Sequence, residues 1–174
     1  MAGLCQRPEL IRSVAVCGHL HHGKTLLCDL IFQATHKPPK GQYWDLTKEF
    51  KWTDNRRDEI DREISLKCSP LTVLMTDSRD KSYVLNVMDT PGHPCFSDEV
   101  TASMRISDGV LLVVDCIEGM TTYVERLVKE ALRQQLKIVL FLNKLDRLVL
   151  ELKLPPADAY FKLKHTLDDI NAVI

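Results

Sequence analysis

Between Gly18 and Thr25 the chain reads GHLHHGKT, three histidines enclosed by two glycines and followed by a lysine and a threonine. Two chemistries compete for this stretch. One is a metal site built from His19, His21 and His22. The other is a phosphate cradle of the form G-x-x-x-x-G-K-[ST], in which Gly18 and Gly23 let the backbone approach a phosphate closely. In that cradle the N–H groups of His19, Leu20, His21 and His22 converge on the anion at a helix N-terminus, Lys24 brings a point charge to the β/γ oxygens, and the Thr25 hydroxyl ligates Mg2+. The surroundings favour the cradle. The apolar run SVAVC ends at Cys17 and the helical pattern TLLCDLIFQA starts at Thr25. The histidines fall on a tight loop whose side chains are expected to radiate outward, and no cluster of Asp, Glu or Cys completes a metal shell at ligand spacing.

Two further motifs stand downstream in order. DTPGH, Asp89 to His93, follows the run YVLNVMD. It places Asp89 at a strand end, where a carboxylate holds Mg2+ through water, and leaves the N–H of Gly92 free to approach a γ-phosphate. NKLD, Asn143 to Asp146, follows KIVLFLN in the same way. Guanine presents N1–H and N2–H2 donors side by side, matched by the two carboxylate oxygens of Asp146, whereas adenine presents an acceptor at N1. Asn143 would bond neighbouring loops or the other base edge, and the stem of Lys144 would lie on the ring face. Taken alone NKLD is also an ordinary helix-entry tetrapeptide; third in the series it points to GTP or GDP rather than ATP.

These motifs need strands to present them. SVAVC (13–17), SPLTVLM (69–75), YVLNVMD (83–89), GVLLVVD (109–115) and KIVLFLN (137–143) read as strands, apolar on both faces as a sheet covered by helices on two sides requires. Only a short polar stretch, TDSRDKS, separates the second and third. They should form an antiparallel hairpin at one edge of an otherwise parallel sheet, giving an α/β fold of the P-loop NTPase kind. TYVERLVKEALRQQL carries Val124, Leu127, Val128, Ala131 and Leu132 on one helical stripe. Residues 36–68 lack a sustained period, are dense in charge, and read as a long functional loop; within it Arg56 and Arg57 read as solvated rather than as nucleic-acid contacts. After Asn143 an extended or irregular stretch should precede Pro155 and Pro156. A helix follows with Tyr160, Leu163, Leu167, Ile170 and Ile174 as its recurring apolar positions and Asp158 near its start.

The 174 residues suit one domain, the formal charge of −1 is interspersed, and no run approaches a membrane span. No nucleic-acid patch and no membrane partner are therefore expected from this segment. The six cysteines are scattered without CxxC spacing, as in a reducing compartment.

With its histidine after the glycine, DTPGH resembles translational GTPases of the elongation factor 2 class, and the likeness runs over nearly the whole chain. His21-His22-Gly23-Lys24 stands where elongation factors carry Asp-His-Gly-Lys, and with FSDEVTASMRISDGVLLVVD and DRLVLELKLPPADAYFKLKH it resembles the elongation-factor-2-like GTPases of the U5 small nuclear ribonucleoprotein of the spliceosome. The resemblance implies a GTP-dependent switch with Mg2+, part of a larger chain. It also implies the large U5 scaffold protein, an RNA helicase and U5 RNA as partners, in the nucleus. It assigns His93 to positioning the attacking water, beside Lys24 as the other catalytic group, and Ser65 in DREISLK to Mg2+ together with Thr25 and Asp89. It makes 36–68 a switch I-like region. From the residues alone, His93 also reads as a helix-entry histidine and Ser65 as a loop serine. The family's RGIT is REIS here, so Glu63 brings a negative charge where the family has glycine and hydrolysis is expected to be slow; a GTP-occupied scaffold with little turnover is one alternative. A ribosomal translation factor is the remaining one. No SAK-like element occurs before Ile174, so the chain is expected to be a G domain lacking its last guanine-binding element.

Overall fold

The computed structural model describes residues 7–37 and 52–174. Five strands form one sheet in the order β2-β3-β1-β4-β5, with β1 at Ile11–Cys17, β2 at Ser69–Thr76, β3 at Ser82–Asp89, β4 at Gly109–Asp115 and β5 at Lys137–Asn143. β1 lies parallel between β3 and β4, β5 extends the sheet beyond β4 in parallel, and β2 pairs antiparallel to β3. The expected α/β sheet with one antiparallel edge is the fold observed. Register gives it functional consequence. Val16 sits opposite Asp89, and Asp115 opposite Asn143, so the carboxyl ends of β1, β3, β4 and β5 finish along one edge. Strand order reverses around β1, which creates the crevice where open α/β sheets bind ligands.

Helices cover both faces. On one, α1 (Lys24–Thr35) buries Cys28 and Phe32 against Val16, Leu71, Val73, Val87 and Val113. On the other, α3 (Ser97–Arg105), α4 (Thr122–Arg133) and α6 (Pro156–Val173) close over Ala15, Val110, Leu112 and Val114. The α4 stripe is as its periodicity predicts, with Val124, Leu127, Val128 and Ala131 buried and Leu132 packed at the margin. Thr121 caps that helix by accepting from the N–H of Val124 at 3.3 Å. The five cysteines among the described residues are free thiols. Burial pushes Cys17 up to about 12 and Cys116 up to about 11, so both act as small apolar side chains.

Four expectations need correction. The part of 36–68 that is described holds a helix, α2 (Arg57–Arg62); residues 38–51 lie outside the described residues. Asp58 and Glu59 in its first turn and Arg62 in its last complement the helix dipole, but a helix of 6 residues is too short to show a period. Arg56 forms a two-point pair with Asp58, at 3.0 and 2.7 Å, and both stay in solvent. Where an extended stretch was expected after Asn143, α5 (Asp146–Leu150) forms instead. On α6 the buried residues are Thr166 and Ile170, whereas Tyr160, Leu167 and Ile174 are exposed. Spacing identifies a stripe, but which flank of Ile170 meets α4 depends on how the helices dock. Finally, β5 is not covered on both faces, since Val139 and Phe141 are exposed at the sheet edge.

The α6 correction is checked by urea unfolding. Ile170→Ala should cost about 2–4 kcal/mol, and Leu167→Ala less than about 1 kcal/mol; equal losses would restore the stripe read from the sequence.

Candidate nucleotide site

The loop 18–23 leaves β1 and enters α1 at the strand edge. A Cβ on Gly18 would run into the Val113 carbonyl oxygen of β4, and one on Gly23 would run into the Asn143 amide of β5. Gly23 also has φ 91°, a backbone region that favours glycine. Position 21 is left-handed as well, with φ 59°, a conformation that among non-glycine residues is most often taken by Asn, Asp or His. The histidine there thus satisfies a backbone demand while its ring stays in solvent.

The three imidazoles do not all radiate outward, and this corrects the sequence expectation. His22 is fully buried. Its Nδ1 lies 3.2 Å from the Val113 carbonyl oxygen and its Nε2 2.9 Å from Glu118 Oε2. Its own carbonyl accepts from Asn143 Nδ2 at 2.9 Å. The His19 ring meets the His22 ring edge-on at 5.5 Å. Among the described residues no group of three or more His, Cys, Asp or Glu could hold a metal ion.

In front of the loop opens a cleft of about 340 Å3. It is lined by Leu20, His21, Gly23, Lys24 and Thr25, by Asp54, Glu63, Ile64 and Ser65, and by Gly92 and Lys144. Lys24 is buried and donates to the His19 carbonyl at 2.8 Å. Burial lowers its pKa, and the nearby Asp89 carboxylate works against that. Asp89 is itself buried, with Oδ1 lacking any partner. Burial raises it to about 7, although Thr25 and Lys24 both oppose the rise. Thr25 Oγ1 stands 3.1 Å from Ser65 Oγ. Two hydroxyls beside an unsatisfied buried carboxylate oxygen form an all-oxygen donor set that fits Mg2+.

Ser65 reaches this position because α2 and the chain after it are tied down. Glu59, buried, accepts from the N–H groups of Leu66 and Lys67 at 2.9 and 3.1 Å. Asp29 of α1 accepts from the N–H groups of Trp52 and Thr53 at 3.0 and 3.2 Å. Neither carboxylate was singled out from the sequence, where each was one charge among many. Glu63, at φ 54°, ends α2 in the left-handed region and lines the cleft.

His93 and Asp146 are not among the residues lining the cleft. His93 Nδ1 accepts from the Cys95 N–H at 3.2 Å, capping the short turn Pro94–Phe96. Asp146 is exposed in the first turn of α5, two residues beyond Lys144. Sequence reasoning missed Asp115. This carboxylate is fully buried at the end of β4 and receives Lys144 Nζ at 3.2 Å, Arg147 at 2.6 Å and the Ile117 N–H at 2.7 Å. Burial pushes its pKa up, and these three donors outweigh that and hold it below the usual range. Its signal was its position as an acid ending a strand.

A phosphate loop at the reversal point of a mostly parallel sheet, with an Asn-Lys-x-Asp loop at a neighbouring strand end, defines a P-loop nucleotide-binding domain. The chain belongs to the elongation factor Tu GTP binding domain family, whose profile matches residues 9–173. It is 48% identical over 171 residues to the 110 kDa U5 small nuclear ribonucleoprotein component CLO of Arabidopsis thaliana, covering 98% of this chain and 17% of that protein. To pre-mRNA-splicing factor cwf10 of Schizosaccharomyces pombe it is 47% identical over 172 residues, covering 97% of this chain and 17% of that protein. The chain thus spans well under a third of the length of these relatives. The crystal structure of ttk003000868 from Thermus thermophilus shares the fold, with a TM-score of 0.70 at 24% identity over 91% of this chain and 22% of that one.

Asp89 makes stability depend on pH. Its folded pKa of about 7 exceeds the ordinary 3.8, so the folded state keeps a proton that the unfolded chain releases. This group's contribution therefore falls as pH rises from about 4 to about 7 and is level above. In nucleotide-free protein, the stability gained by Asp89→Asn over wild type should grow across that window by on the order of 4 kcal/mol, measured by denaturant unfolding at a series of pH values. A pH-independent difference would contradict the buried, protonated carboxyl.

Proposed function

We propose that this chain is a guanine-nucleotide-binding switch that takes GTP or GDP with Mg2+, hydrolyses GTP slowly, and acts in pre-mRNA splicing within the U5 small nuclear ribonucleoprotein, in the nucleus. Its partners in this reading are the large U5 scaffold protein, a spliceosomal RNA helicase and U5 RNA, and residues 1–174 are its GTPase domain. The observation that carries the nucleotide part is the meeting of Lys24, Thr25, Ser65 and Gly92, from three separate motifs, at one cleft, with the buried Asp89 carboxylate beside Thr25 and Lys24. The splicing part rests on two relatives at 48% and 47% identity whose names place them in that machinery.

Lys24 would exchange the His19 carbonyl for β/γ-phosphate oxygens, and the N–H groups of the loop would add their dipoles. Thr25, Ser65 and Asp89 would hold Mg2+, which would supply charge neutralisation to the phosphates. Because His93 Nδ1 accepts from Cys95, a neutral His93 presents Nε2–H, which orients a water without taking its proton. Asn143 ties the base-side loop to the phosphate loop, and Asp115 holds Lys144. Asp146 is the base-reading carboxylate in this scheme.

A GTP-occupied scaffold with little turnover is favoured by two features: Glu63 lines the cleft and repels a triphosphate, and His93 is engaged in its own turn. Single-turnover GTP hydrolysis by the full chain separates the two. A switch predicts that His93→Ala slows the step about tenfold or more, while equal rates establish the scaffold. For the base, GTP should compete with labelled GTP at least about a hundredfold better than ATP, and Asp146→Asn should shift preference to XTP. Equal binding of ATP and GTP would overturn the guanine assignment.

A further inference from the structure

The phosphate loop contains one fully buried side chain that the proposed chemistry does not use, His22. Its ring bridges two separate parts of the chain. The Val113 carbonyl can only accept, so the nitrogen 3.2 Å from it, Nδ1, carries a hydrogen. On the opposite side of the ring, Nε2 is 2.9 Å from Glu118 Oε2. Glu118 belongs to the turn after β4, which is itself stiff: the Ile117 N–H bonds Asp115 Oδ1 at 2.7 Å and the Gly119 N–H bonds the Asp115 carbonyl at 2.9 Å. Gly119 has φ 65°.

From this geometry we infer that His22 and Glu118 form a positioning pair, a latch that clamps the back of the phosphate loop to β4 and its following turn and thereby sets how long a guanine nucleotide is retained. The inference rests on the guanine-nucleotide reading above. Backbone N–H groups bind a phosphate well only if they already point at it, since a loop that must be ordered on binding loses that entropy from the affinity. Among the described residues, few hydrogen bonds besides the latch hold this loop. Asn143 holds the His22 carbonyl, Lys24 the His19 carbonyl, and a 3.3 Å bond joins the His22 N–H to the His19 carbonyl. When Lys24 turns to the phosphates its tie to the loop is lost, and the ring of His22 and the Asn143 bond remain to restrain the loop. Imidazole suits the task because its two nitrogens project in divergent directions from a rigid plane, reaching a carbonyl within the sheet and a carboxylate at the surface together. Glu118 is 45% exposed, so the outer half of the latch faces solvent and can be altered without opening a cavity.

The test compares wild type, Glu118→Ala and Glu118→Gln in the full chain, following release of a fluorescent GDP analogue. Loss of a hydrogen bond to a charged partner should speed release about tenfold in Glu118→Ala. Glu118→Gln should stay within about threefold of wild type, because its amide N–H2 donates to Nε2 of a neutral His22 whose Nδ1–H still meets Val113. Single-turnover hydrolysis from the preloaded complex should move less than about twofold in both variants, the split expected of a residue that retains nucleotide rather than acts on it. Unchanged release in Glu118→Ala overturns the latch, and so does an equal acceleration in Glu118→Gln. If wild type binds no guanine nucleotide, the base assignment fails separately. Hydrogen exchange of residues 19–23 in the nucleotide-free protein then decides the latch: about tenfold faster exchange in Glu118→Ala sustains it, and unaltered exchange overturns it.

Discussion

The close approach of the phosphate loop to the ends of β4 and β5 is the constraint on which the site depends. Gly18 leaves no room for a side chain beside the Val113 carbonyl, and Gly23 none beside the Asn143 amide. With both glycines in place the loop sits in the crevice made by the reversal of strand order around β1. Asn143 then bonds the loop's own backbone, so the glycine-rich loop and the Asn-Lys-x-Asp loop share a support. Displacing either strand end by an ångström would move both.

The site concentrates buried polar groups in one place, and each has a physical reason to be there. Lys24 and Asp89 are both removed from water and oppose each other's shifts, Asp89 being left with an oxygen that no protein group satisfies. Such a group is costly to bury alone and is suited to a cation. Asp115 is the opposite case, fully satisfied by Lys144, Arg147 and Ile117, and it stiffens the base-side loop rather than meeting ligand. Glu59 and Asp29 do comparable work for the segment that carries Ser65, each accepting two backbone N–H bonds. The carboxylates around the cleft therefore divide into those that hold the chain and those that await a ligand.

Strand identity and order of motifs were legible because the apolar runs are long and punctuated by the motifs themselves. SPLTVLM and YVLNVMD announced a hairpin through the brevity of their connection, and GxxxxGKT, DxxG and NKxD announced the ligand edge. His21 and the segment after NKLD pointed to one branch of the family, and two of the proteins the chain is similar to carry names from splicing. Short helices were not legible: α2 and α5 are too brief to display a period, and their stability comes from caps and tertiary bonds. The exposed side of α6 was misassigned because Ile170 lies both in the apolar series read from the sequence and on the face that carries Thr166 and Val173, and only docking against α4 chooses between them.

The sequence by itself determined the chemical inventory. It specified a phosphate loop, a strand-end aspartate, a base-side tetrapeptide and the sheet needed to bring them to one edge, because each depends on residue type at fixed local spacing. Tertiary structure alone decided which charges became structural. Glu118 and His22 are 96 residues apart along the chain and Asp115 and Arg147 are 32 apart, and no local pattern links such pairs. It also decided that His22 turns inward while His21 faces solvent, since burial depends on what β4 and its following turn place behind the loop.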